Sequence, residues 1–237
     1  MLIVDAVLET VDTTGFSLWP VADLPPSRLL ALSHRMSLPE IGAALAALAE
    51  YNSQASDDDS PVTDAGEQIR RLLEAEKVIA PGGLRIRRTD NDVTVSPGCC
   101  CGLEDWREWL DVLTGETPWL GHDPSPRIEH ADKLIRLWAD GGEEATKAPS
   151  ARPIEIPVDD LVGILNSVRD AMRGFLSLTK QWAACHVPSL AVDLATKLDE
   201  DLAISAPLPS DYGQARACWC AAASSAKSGA PNVLRRA

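Results

Sequence analysis

No stretch of this chain approaches the ~18 consecutive apolar residues that a membrane-crossing helix needs. The richest apolar run, Ile41 to Ala49, is mostly alanine and too short, so no membrane partner is expected. The amino terminus, MLIVDAVLETVDTTG, has no basic stretch and meets Asp5 before the apolar core of a secretory leader can form. Basic residues are the next shortage: Lys and Arg total 22 against 35 Asp and Glu, a formal net charge of −13. Surfaces that neutralise phosphates need the opposite balance, so nucleic acid is not an expected partner. A macromolecular partner is expected instead to be a basic protein. Short catalytic signatures are missing as well. Pro81-Gly82-Gly83 lacks the lysine of a phosphate loop, and no G-x-G-x-x-G, G-x-S-x-G or H-E-x-x-H occurs. The reading therefore leans away from an enzyme. Three of the six cysteines are contiguous, and 237 residues bury a core without covalent staples. Free thiols and a cytoplasmic location are the expectation.

The elements present point to an α+β fold, a small antiparallel sheet packed with helices plus a carboxy-terminal helical pair. LIVDAVL at residues 2–8 reads as a strand, and GFSLWP from Gly15 to Pro20 as a second short one. Ser37 and Glu40 form a capping box that opens a helix to about Tyr51, and Asp64 with Glu67 opens another. LRIRR and DVTVS alternate apolar and polar residues about Thr89–Asp92, which predicts a hairpin. RIEHADKLIRLWADGG predicts another hairpin or a single strand, with its turn at Asp140-Gly141-Gly142. A long helix is predicted from about Val158 to Ala184. Its stripe is Leu161, Leu165, Val168, Met172, Phe175, Thr179 and Trp182, at alternating steps of four and three. A shorter helix follows Pro188-Ser189 through Leu190, Leu194, Leu198 and Leu202. By domain, residues 1–142 read as the α+β part and 143–153 as linker-like. Residues 154–206 read as a strand and helical pair packed on the first part, and 207–237 as a partly disordered tail.

The oddest stretch is PGCCCGLEDWREW, residues 97–109. In an extended segment Cys99 and Cys101 share a side and Cys100 faces away. A zinc site can be drawn from Cys99, Cys101, His122 and His130, but the separated ligand pairs of familiar zinc sites are missing. A thiol nucleophile would sit beside Glu104, Asp105 and Glu108, which cancel the helix dipole and raise a thiol pKa. The favoured reading is a packed corner: Pro97, Gly98 and Gly102 supply the turn, and three small apolar cysteines fill it beside Leu103 and Trp106. No cofactor is required by that reading, with zinc as the alternative.

LEDWREWLDVL then predicts a short helix with Leu103, Trp106, Leu110 and Leu113 on one side, stopped by Gly115. Only one of Trp106 and Trp109 fits that stripe, so Trp109 is expected to be partly exposed among carboxylates. A tryptophan beside acids is a docking surface for a protein. The expected partner-binding residues are Glu104, Asp105, Glu108, Trp109 and Asp111, with His122 and Asp123 near them in sequence. Further acidic groups at Asp57–Asp59, Glu143-Glu144 and Asp199–Asp201 extend that face or stand as separate solvated patches.

An acidic, motif-poor α+β chain with surface aromatics resembles the loose class of small acidic bacterial immunity proteins, which neutralise a toxin by binding it. What the resemblance implies is a non-catalytic protein-binding module. The alternative is a metal- or thiol-dependent enzyme centred on Cys99 and Cys101 with His122 and His130.

Overall fold

Strand β1 (Leu2–Glu9) is the organising element, antiparallel to β2 (Leu29–Ala31) on one side and to β3 (Gly82–Arg88) on the other. Strand β4 (Val93–Val95) completes a sheet of order β2-β1-β3-β4. The computed structural model describes residues 1–24, 26–53, 64–141 and 152–208. Asp57–Asp59, Glu143-Glu144, most of 143–153 and the tail with Cys218 and Cys220 lie outside the described residues. A second antiparallel sheet has the order β5-β6-β7, from β5 (Arg127–Ala131), β6 (Leu134–Trp138) and β7 (Ile154–Pro157). The protein is α+β, with a carboxy-terminal helical pair.

Helix α1 (Leu38–Ser53) starts on the expected capping box: the Ser37 amide donates to Glu40 Oε2 at 2.7 Å, and the Glu40 amide donates to Ser37 Oγ at 3.4 Å. Every residue from Ile41 to Ala49 is buried. Alanine makes that possible, because neighbours approach the helix axis closely on all sides. Trp19 fills one such approach and donates from Nε1 to the Gly42 carbonyl at 2.8 Å. GFSLWP is accordingly a turn carrying a core tryptophan rather than a strand. Helix α2 (Ala65–Glu74) is capped by Asp64, which accepts from the Gly66 amide at 3.1 Å.

Helix α3 (Leu161–His186) buries all seven residues of its stripe, each at most 1% exposed. Trp182 meets Trp19 edge-on at 5.2 Å between ring centroids. Helix α4 (Ala191–Asp201) packs back on α3 through Leu194 and Leu198. The 154–206 segment shares both a sheet and a core with the residues before it: β7 pairs with β6, and one hydrophobic cluster runs from Ala6 to Leu208. In the β5–β6 hairpin the turn falls at Asp132-Lys133, not at Asp140, and Asp132 adopts φ 52°. A short polar residue tolerates that left-handed geometry, and the earlier turn lets Ile135 and Leu137 face the core.

Candidate functional site

Residues Leu103–Thr114 form a helix, but a 3-10 helix of twelve residues rather than an α-helix. Three residues per turn change which side chains share a face. Leu103, Trp106, Trp109 and Val112 make the buried column, none more than 5% exposed, with Leu110 and Leu113 buried beside them. Trp109 is therefore a core residue, and its expected role at a partner surface is corrected. The same period lines Asp105, Glu108 and Asp111 along one exposed edge. Glu104 is half-buried, and its Oε2 accepts from the Ala80 amide at 2.9 Å. Burial raises its carboxyl above the ordinary value, and its bond to the Ala80 amide sets it apart from the exposed edge.

Gly115 ends the helix in left-handed conformation, φ 91°, with its amide returning to the Asp111 and Val112 carbonyls. At the other side of the turn, Trp106 donates from Nε1 to the Leu202 carbonyl at 2.9 Å, and Arg107 Nε donates to Ala203 O at 2.8 Å. The 3-10 helix is thereby tied to the end of α4.

The cysteine corner lies just before this helix and is clamped to the loop of His122. Cys99 and His122 form an antiparallel bridge, the Cys99 amide donating to His122 O at 2.6 Å and the His122 amide to Cys99 O at 3.1 Å. The Gly98 amide donates to Leu120 O at 2.8 Å. Backbones this close exclude side chains. A Cβ on Gly98 would lie 2.2 Å from the Pro124 carbonyl oxygen, and one on Gly121 (φ 88°) would lie 2.5 Å from the Gly98 carbonyl carbon. Asp123-Pro124 is a cis peptide, and Asp123 itself has φ 51°.

Cys100 breaks the expected alternation. Its φ of 62° is left-handed, so the segment is not extended there and its side chain does not face away from that of Cys99. Cys99 Sγ and Cys100 Sγ stand 3.4 Å apart, both exposed. Cys101 is turned inward, 9% exposed, with its Sγ 3.7 Å from the Trp119 carbonyl. The packed-corner reading thus describes Cys101 and not its two neighbours. The ligand set drawn from Cys99, Cys101, His122 and His130 is corrected on two counts. Cys101 points away, and His130 sits on β5 opposite Ile135, with both ring nitrogens buried and without a hydrogen-bond partner. Among the described residues, the donors that converge are Cys99 Sγ, Cys100 Sγ and a His122 ring nitrogen, all within 4.8 Å of one another.

Asp123 Oδ2 lies 3.0 Å from His122 Nδ1. That carboxylate, and after it Cys100, raises the imidazole pKa. The Cys100 thiol is lowered, first by the hydrogen bond to Cys99 and then by that to His122, while Cys99 is raised by its contact with Cys100. Cys101 is pushed up to about 11 by burial and then by Glu104, Asp105 and Glu108. Cys99 and Cys100 border a cavity of about 490 Å³ lined also by Glu9, Asp12, Arg28 and Glu104.

Beside the thiols stands Trp119, at 61% exposure the most open tryptophan among the described residues and one that sequence reasoning missed. Its Nε1 donates to the Cys100 carbonyl at 3.1 Å, and its ring lies 6.5 Å from that of His122. Asp105 and Trp119 line the same small crevice. Pro118-Trp119-Leu120 carries no periodic signal, so nothing in the sequence marks this tryptophan as exposed. No family model, no curated protein and no solved structure matches the chain.

Proposed function

We propose that this protein is a non-catalytic protein-binding module that docks a basic partner on the edge formed by Asp105, Glu108, Asp111 and Trp119. The single observation that carries the reading is Trp119, an exposed indole held in place by its own hydrogen bond and lining one crevice with Asp105, the first of an aligned column of carboxylates. A rigid aromatic loses little entropy on binding and supplies a large contact area. The carboxylates steer and orient a cationic partner, consistent with the net charge of −13. His122 and Asp123 border the same patch, whereas Trp109 and Glu104 do not belong to it. A toxin neutralised in the manner of an immunity protein is the kind of partner this surface suits.

The test compares three baits in an extract of the producing cells: the wild type, Trp119→Ala, and the double variant Glu108→Lys with Asp111→Lys. A protein retained by the wild type and lost from both variants, with retention that weakens as salt rises, is the expected result. Identical capture by all three baits would remove the docking edge.

A further inference from the structure

The convergence of Cys99, Cys100 and His122 has a chemistry that docking does not use. We propose that Cys99 Sγ, Cys100 Sγ and His122 Nε2 bind one Zn²⁺ ion, with a fourth position open to water and to the adjoining cavity. Tetrahedral zinc takes sulfur at about 2.3 Å and imidazole nitrogen at about 2.0–2.1 Å, which sets its donors roughly 3.6–3.8 Å apart. The two sulfurs stand at 3.4 Å, and a ring nitrogen of His122 lies within 4.8 Å of each. Rotation of these exposed side chains is the adjustment that would bring the donors to that spacing.

The backbone is what makes the set. Two sequence-adjacent cysteines reach one ion because Cys100 is left-handed. His122 is delivered to them by its bridge with Cys99, locked where Gly98 and Gly121 leave no room for a side chain. Asp123 supplies the remaining element. Zinc-bound imidazoles characteristically present their second ring nitrogen to a carboxylate, which fixes the ring and increases its basicity. Asp123 Oδ2 already holds that position on Nδ1.

The donor set also selects the ion. Two thiolates and an imidazole suit zinc, whereas magnesium and calcium demand oxygen ligands. Around the cavity, the carboxylates of Glu9, Asp12 and Glu104 outnumber the guanidinium of Arg28, so the wall favours a cation. Three protein donors and an open position are the pattern of zinc that engages a further ligand; zinc that only staples a fold is closed by four.

The experiment titrates the full, reduced, metal-free chain with Co²⁺ alone, a spectroscopic stand-in for zinc, and contains no partner protein. Its result is therefore independent of the docking reading. A sulfur-to-cobalt charge-transfer band with tetrahedral visible bands should saturate at one ion per chain and disappear when Zn²⁺ is added. Cys99→Ser, Cys100→Ser and His122→Ala should each weaken binding by at least about 100-fold, and Asp123→Asn by roughly 10–100-fold. His130→Ala and Cys185→Ser should bind like the wild type. Circular dichroism checks that every variant is folded, which the exposure of Cys99, Cys100, His122, Asp123 and Cys185 favours. A folded wild type with no thiolate band in excess Co²⁺ overturns the proposal. So does a band that survives the Cys99→Ser, Cys100→Ser double variant.

Discussion

In α3, seven residues spaced by alternate fours and threes from Leu161 to Trp182 are all buried, as their spacing requires. In the corner at residues 97–124, three consecutive cysteines divide into an exposed pair and a buried third, and the residue expected to face away is the one that joins its neighbour. The helix repeats one backbone conformation, so its side chains are placed by arithmetic. The corner places its side chains through left-handed residues and backbone-to-backbone contacts, which depend on a second chain segment more than twenty residues away. Regular structure makes burial readable; irregular structure makes a site.

The comparison breaks most widely on thiol chemistry. Exposed Cys99 and Cys100 should alkylate in the metal-free folded protein, while Cys101 waits for unfolding, a rate difference of about 10³ or more for a domain of ordinary stability. Peptide mass spectrometry after native labelling reads this directly. Labelling of Cys101 at the rate of its neighbours would show that the corner opens. In the regular region, Phe175→Ala should cost about 3–5 kcal/mol in urea unfolding, since the ring is fully buried. That variant should leave thiol labelling in the folded state unchanged.

Gly121→Ala should cost less, about 1–3 kcal/mol, through its φ of 88° and the crowded Gly98 backbone. Unlike Phe175→Ala, it should alter the labelling of Cys99 and Cys100, because it displaces His122 from the bridge. The smallest effect belongs to Glu104, whose burial raises its carboxyl above the ordinary value of 4.5. The folded state then holds this proton more tightly than the unfolded state, so the contribution is full below 4.5 and is lost as pH rises through the raised value. Glu104→Gln keeps an acceptor for the Ala80 amide and removes the titration. Wild-type stability relative to this variant should therefore fall as pH rises across that span, as measured by unfolding at a series of pH values.

The 3-10 helix shows where the two kinds of region meet. LEDWREWLDVL is compatible with an α-helix burying Leu103, Trp106, Leu110 and Leu113, and all four are buried. The sequence also satisfies a period of three, and only that period buries Trp109 and Val112 while leaving Asp105, Glu108 and Asp111 in line. The observed helix is tied by hydrogen bonds of Trp106 to Leu202 and Arg107 to Ala203, groups nearly a hundred residues away that no local pattern records. Trp119 was hidden in the same way, since the contacts that hold it are to Cys100 and Cys101, residues distant in the chain.

Local patterns by themselves determined the α+β class, the Ser37–Glu40 cap, the β3–β4 hairpin and the α3 stripe, because propensity and periodicity act over a few residues. Tertiary structure alone decided that Cys100 and not Cys101 stands with Cys99, that His130 stays apart, and that Trp119 and not Trp109 meets solvent. Those outcomes rest on left-handed residues and on contacts between distant backbones, and neither leaves a periodic trace in the chain.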